Sequence, residues 1–178
     1  GVLSLTLPKQ AAAGAAGKGF ATGRVANDGI DQIGVSARNL APRQAFPFAE
    51  GLFGQIGLDK LVTHIEGDIR DADLVDRVVS EARPEVVFHL AAQPLVRLSY
   101  EEPRETFAVN VQGTAHVLDA CRRVAGLKAI VAVTSDKCYD NVEWVWGYRE
   151  TDGLGGKDVY SGSKGAAELV IKSYLHSF

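Results

Sequence analysis

The stretch Glu85-Val86-Val87-Phe88-His89-Leu90, EVVFHL, lies between Pro84 and the small residues Ala91 and Ala92. It is apolar almost without interruption, too short for a core helix, and lacks the alternation of a strand with one wet face. It reads as a strand covered by helices on both faces, the setting of a parallel sheet. The flanking segments keep that rhythm. LVTHI (Leu61 to Ile65) is a strand pattern, and after the loop GDIRD (Gly67 to Asp71) Asp71 can cap a helix running to Ala82. Leu74, Val75, Val78 and Val79 form that helix's apolar face, and Pro84 stops it. AIVAVT (Ala129 to Thr134) is a third strand, and a final helix spans Tyr160 to His176. Short β-rich runs alternating with helical patterns predict an α/β chain, a Rossmann-like doubly wound parallel sheet.

Between the second and third of these strands, after a loop with Pro94 and Pro103, lies a long helical pattern ending at Gly126. Phe107, Val111, Thr114, Leu118, Cys121 and Ala125 recur at steps of four and three and predict one buried stripe. Val109, Val117 and Val124 are apolar off that stripe, which fits burial against a second subunit or a fully internal helix. Residues 1–50 differ in character. VLSLTL (Val2 to Leu7) alternates like a strand, but residues 8–24 are rich in Ala and Gly and Asn27-Asp28-Gly29 interrupts any helix there.

The chain has 178 residues, 46% hydrophobic and 23% charged, enough for one globular domain with a core. Its net charge of −3 supplies no basic field for nucleic acid or an anionic membrane surface. No apolar run approaches the roughly 20 residues of a membrane helix. Cys121 and Cys138 have neither metal-site nor disulfide-framework spacing, and the four histidines are scattered, so no metal is expected and a reducing cytoplasm is.

Chemistry concentrates at two places. Tyr160 and Lys164 stand four residues apart at a helix start, which puts them on one face about 5–6 Å apart at Cβ. An ammonium beside a phenol stabilises the phenolate and moves it toward use as a base. Ser135, Asp136 and Lys137 follow the third strand, at the carboxyl end where open α/β sheets bind ligands. They offer a hydroxyl, a carboxylate and an ammonium.

The order GDIRD (67–71), HLAAQ (89–93), NVQGT (110–114), TSDKCYD (134–140) and YSGSK (160–164) resembles that of the extended short-chain dehydrogenase/reductases acting on nucleotide sugars. From about residue 52 onward it is most similar to their CDP-glucose 4,6-dehydratase branch, whose Asp-Lys form Asp136-Lys137 shares. The resemblance implies NAD as cofactor and CDP-glucose as substrate. Tyr160 would take the proton of the sugar 4-hydroxyl as hydride leaves C4, with Lys164 tuning the phenol and Ser135 bonding the reacting hydroxyl. Asp136 and Lys137 would serve as acid and base in loss of the 6-hydroxyl and the C5 proton, before hydride returns to C6. Asp68 and Ile69 match adenine-holding positions, Leu90, Ala91, Ala92 and Gln93 the strand end beside ribose and phosphates, and Asn110 a helix position near the site. Tyr160 and Lys164 also face the cofactor, and a homo-oligomer through the helices of 103–125 and 160–176 is implied.

That family places a glycine-rich turn after its first strand, where backbone approaches pyrophosphate at a helix N-terminus. The nearest stretch here holds Gly14, Gly17 and Gly19, one residue short between the second and third glycines. The abrupt change near residue 50 equally fits a shifted frame or misassigned sequence. The family also continues beyond the Tyr-Lys helix into a substrate domain, so this chain reads as truncated before it. Two other readings stay open: a non-catalytic cofactor-binding or dimerisation remnant, and a nucleotide-sugar epimerase of the same superfamily, which would share Tyr160 and Lys164.

Overall fold

The computed structural model describes residues 62–178, together with the strand backbones of residues 2–8 and 32–38. In chain order these are strands β1 (Val2–Pro8), β2 (Gln32–Arg38) and β3 (Val62–Gly67), helix α1 (Ala72–Ala82) and strand β4 (Val86–His89). Helices α2 (Val96–Glu101) and α3 (Pro103–Phe107) follow, then a π-helical turn (Ala108–Gly113), helix α4 (Thr114–Cys121) and strand β5 (Ala129–Ala132). A 3₁₀ turn (Asp136–Cys138) and helix α5 (Val159–Ser177) complete the order.

The strands form one sheet in the order β3-β1-β2-β4-β5. EVVFHL supplies β4, parallel to β2 on one side and to β5 on the other, with Val86 opposite Gln32 and Ala129. The chain leaves the β3 edge and returns beyond β2 at β4, so its winding reverses at the centre of the sheet as a doubly wound fold requires. One strand runs against the parallel set, since β1 pairs antiparallel with both β2 and β3. The alternating pattern of VLSLTL already fits this, because parallel strands buried on both faces read as unbroken apolar runs.

Helix α1 forms where the sequence places it. The Asp71 carboxylate accepts from the Leu74 amide at 3.0 Å, and Val75, Val78 and Val79 are buried. At its end Arg83 takes a left-handed conformation with φ 45°, its amide donating to the Val79 carbonyl, and Pro84 follows. Val75, Val78 and Val79 join Ile69, Val87, Val109, Val117 and Cys121 in the core. Helices α1 and α4 pack together, as do α4 and α5.

The long helix keeps part of its predicted stripe. Phe107 is 42% exposed and Ala125 is exposed, while Val109 and Val117, placed off the stripe, are fully buried. Thr114, Leu118 and Cys121 are nonetheless buried as the stripe predicts, and Ala125 is exposed because the helix ends before it. The Thr114 hydroxyl donates to the Asn110 carbonyl at 2.7 Å and so competes with the helical amide for that acceptor. The helix also ends at Cys121 rather than at Gly126, which has φ 90° in the turn before β5. Helix α2, within the predicted loop after β4, is a further addition.

Candidate active site

The carboxyl ends of β4 and β5, the 3₁₀ turn and the first turns of α5 meet at one end of the sheet. Asp158 starts α5, accepting from the Ser161 amide at 2.9 Å and the Ser161 hydroxyl at 2.6 Å. Partial burial pushes this carboxyl up, but the bonds from Ser161 prevail and hold it below its ordinary range. The cap places Tyr160 and Lys164 on the inner face, 8% and 5% exposed, with Nζ 5.9 Å from the phenol ring centroid. Burial lowers the Lys164 pKa, opposed by Cys138 and Glu168. Neither the Tyr160 hydroxyl nor the Lys164 ammonium hydrogen-bonds another described residue.

Beside them, Ser135 caps the 3₁₀ turn by accepting from the Lys137 amide at 3.2 Å and donates to Asp136 Oδ1 at 3.0 Å. Asp136 and Lys137 point to solvent, while the next residue, Cys138, is buried. Gly165 lets α5 approach this turn closely, since a Cβ there would lie 3.1 Å from the Cys138 carbonyl. Thr134 donates to Glu168, joining the exit of β5 to α5. The sequence-read set Ser135, Asp136, Lys137, Tyr160 and Lys164 thus gathers at one place.

The predicted cofactor positions divide. Ala91 is buried and Leu90 and Ala92 are half-buried at the end of β4. Burial pushes the Asp68 carboxyl up, yet hydrogen bonds from Arg70 bring it down to about 2. Arg70 Nε lies 3.0 Å from both Asp68 oxygens, and Arg70 Nη1 pairs with Glu105, so the Asp68 carboxylate is ionised and already partnered. The Ile69 side chain is fully buried and its carbonyl lies 2.9 Å from His116 Nδ1. Gln93 is turned inward, its amide group bonding Leu95 and Thr106. Asn110 Oδ1 accepts from the Gln93 amide at 2.7 Å, and its Nδ2 donates to the Gln93 carbonyl at 3.2 Å and to Ser163 Oγ at 2.8 Å. Gly14, Gly17 and Gly19 lie outside the described residues.

Two members of this neighbourhood were not singled out in the sequence. Ser163 is fully buried between Tyr160 and Lys164. His89 on β4 is 3% exposed, and burial, with the nearby Lys164 charge, lowers its pKa to about 4. Because the Thr114 hydroxyl already donates to Asn110, the hydrogen-bond pattern assigns it to accept from His89 Nε2 at 2.9 Å. Among the described residues no cluster could hold a metal ion, and no helix is long and apolar enough to cross a membrane.

The profile of the family described as GDP-mannose 4,6 dehydratase matches residues 49–178. The chain is 53% identical over 132 residues to a CDP-glucose 4,6-dehydratase of Salmonella typhimurium, covering 74% of this chain and 37% of that protein. It is 36% identical over 124 residues to a dTDP-glucose 4,6-dehydratase of Streptomyces antibioticus, covering 70% and 36%. Among solved structures, the dTDP-glucose 4,6-dehydratase DesIV of Streptomyces venezuelae, with NAD bound, superposes at TM-score 0.56 and 29% identity, over 62% of this chain and 33% of that one. A Thermus thermophilus UDP-glucose 4-epimerase in complex with NAD does so at 0.57 and 34%, over 63% and 36%. The chain spans well under half the length of these relatives.

Proposed function

The chain belongs to the nucleotide-sugar 4,6-dehydratase family, and from that premise we propose that it is the cofactor-binding part of an NAD-dependent enzyme converting CDP-glucose to CDP-4-keto-6-deoxyglucose. The observation that carries this reading is the buried Tyr160–Lys164 pair, whose polar heads bond no other described residue, set beside Ser135, Asp136 and Lys137. The 53% identity to a CDP-glucose enzyme over this region supports the choice of nucleotide and favours dehydratase over epimerase.

The donor set fits a dinucleotide and a sugar hydroxyl. Lys164 would hold the nicotinamide-side ribose, Ala91 and Ala92 would lie against the dinucleotide, and Asp68 and Ile69 would meet the adenine. For Ile69 that contact falls to backbone, its side chain being in the core. Bound NAD would supply a reversible hydride acceptor and donor for the sugar carbons. Tyr160 takes the proton of the 4-hydroxyl, helped by the Lys164 charge, which burial leaves poorly hydrated and strong at short range. Ser135 orients that hydroxyl. Once C4 is a ketone the C5 proton is acidified, and Lys137 and Asp136 divide its removal and the protonation of the departing 6-hydroxyl. Both stand on an exposed turn, open to a sugar ring.

Helix association is part of the proposal. Phe107, Leu169 and Leu175 are 42%, 55% and 78% exposed, and they lie within the 103–125 and 160–176 stretches proposed to bury a second copy.

The test is incubation of the full-length protein with CDP-glucose and NAD, followed by mass spectrometry for loss of one water. Product from CDP-glucose is expected. A folded full-length protein that makes none, or that prefers dTDP-glucose, overturns the reading.

A further inference from the structure

Ser163 lies inside the Tyr160–Lys164 interval and is fully buried. Its hydroxyl donates to the Tyr160 carbonyl at 2.7 Å and accepts from Asn110 Nδ2 at 2.8 Å. Asn110 in turn holds both backbone groups of Gln93, just past the end of β4. A continuous chain of bonds therefore runs from the end of β4, through the π turn, to the backbone of the residue that carries the phenol. Asp158 fixes where α5 begins but bonds only within the helix's own first turn. Gly165 seats α5 against the 3₁₀ turn on one side. Among the described residues, the link to Asn110 is the polar restraint tying the start of α5 to the end of β4.

We propose that Ser163 is a positioning residue, clamping the first turn of α5 to Asn110 so that Tyr160 and Lys164 face the end of β4 at a fixed distance and rotation. The role rests on the dehydratase reading, because the geometry it protects is that of proton transfer at Tyr160. It differs from general packing. An alanine fills nearly the same space and leaves Asn110 Nδ2 its bond to Gln93, so Ser163→Ala removes the clamp with little change in volume. A displacement of about 1 Å at such a pair is enough to cost roughly a hundredfold in rate.

The experiment uses the full-length protein and has two arms. In the first, CDP-glucose turnover by Ser163→Ala is expected to show kcat lowered roughly ten- to a hundredfold with KM within about twofold, and Ser163→Thr, which keeps the hydroxyl, to recover most of the rate. Unchanged kcat overturns the proposal, as does a fall in kcat accompanied by an equal rise in KM. The second arm needs no substrate. Hydrogen exchange should quicken in peptides covering residues 91–95 and 160–165 in Ser163→Ala and remain as in the wild type in Ser163→Thr. Unaltered exchange overturns the clamp even if the parent protein proves to have a different substrate, whereas absent wild-type turnover with quickened exchange overturns only the dehydratase reading. If Ser163→Thr does not fold, Ser163→Cys replaces it, and recovery by neither conservative variant counts against the proposal.

Discussion

The two halves of α5 invert the usual distribution of residues. Its first half buries Tyr160, Ser161, Ser163 and Lys164, while its second half leaves Leu169 and Leu175 55% and 78% exposed. Burying an ammonium and hydroxyls costs free energy unless they find partners, and exposing leucines forgoes the gain of burial. The contrast teaches that neither half is arranged for the stability of an isolated helix. The first gathers polar side chains at the candidate site, and the second leaves apolar ones uncovered where the proposed association would bury them.

The largest effect expected from breaking this contrast is chemical. Tyr160→Phe should lower full-length turnover about a thousandfold while leaving thermal unfolding nearly unchanged, because the lost hydroxyl bonds no other described residue. Turnover within tenfold of wild type would remove Tyr160 from its role. Next comes acid sensitivity of the polar interior. His89 is neutral when folded, with a pKa lowered by burial to about 4 from 6.5. Between those values the unfolded chain binds the proton and the folded chain does not, so stability should fall as pH drops from 6.5 to 4. Denaturant titrations of His89→Leu should show a shallower fall over that window, and parallel curves would contradict it.

Smaller effects sharpen the difference. Asp158→Ala should cost about 1 kcal/mol through the lost cap at the buried end of α5. Chemical denaturation measures this, and because the folded Asp158 pKa is depressed, the deficit should shrink as pH falls below the ordinary carboxylate value. Leu169→Glu, in the other half, should change unfolding of the monomer by no more than about 0.5 kcal/mol. If α5 forms the proposed interface, sedimentation should nonetheless show the assembly dissociating, and an unchanged assembly would place the interface elsewhere.

Features set by neighbours in sequence were the legible ones. Asp71 and Pro84 act within a few residues of themselves, and the observed bounds of α1 follow them. The Tyr160–Lys164 face followed from helical spacing, and its gathering with residues 135–137 from the order of the strands. What escaped depends on distant partners. The π turn involves Thr114, which is met by His89 from 25 positions earlier, and Ser163 meets Asn110 across 53. No local pattern encodes those meetings. The antiparallel direction of β1 escaped for a related reason, since alternation hints at a wet face but a strand's direction is decided by how the chain returns to it.

The π turn has a consequence at the level of the gene. A π turn is in effect an α-helix with one residue inserted. Loss of a single codon between 108 and 113 would therefore leave a helix that still forms, with its downstream face nearly in phase. Asn110's carboxamide would nonetheless lose the place from which it bridges Gln93 and Ser163. A damaging deletion in this chain can thus be one that its fold absorbs.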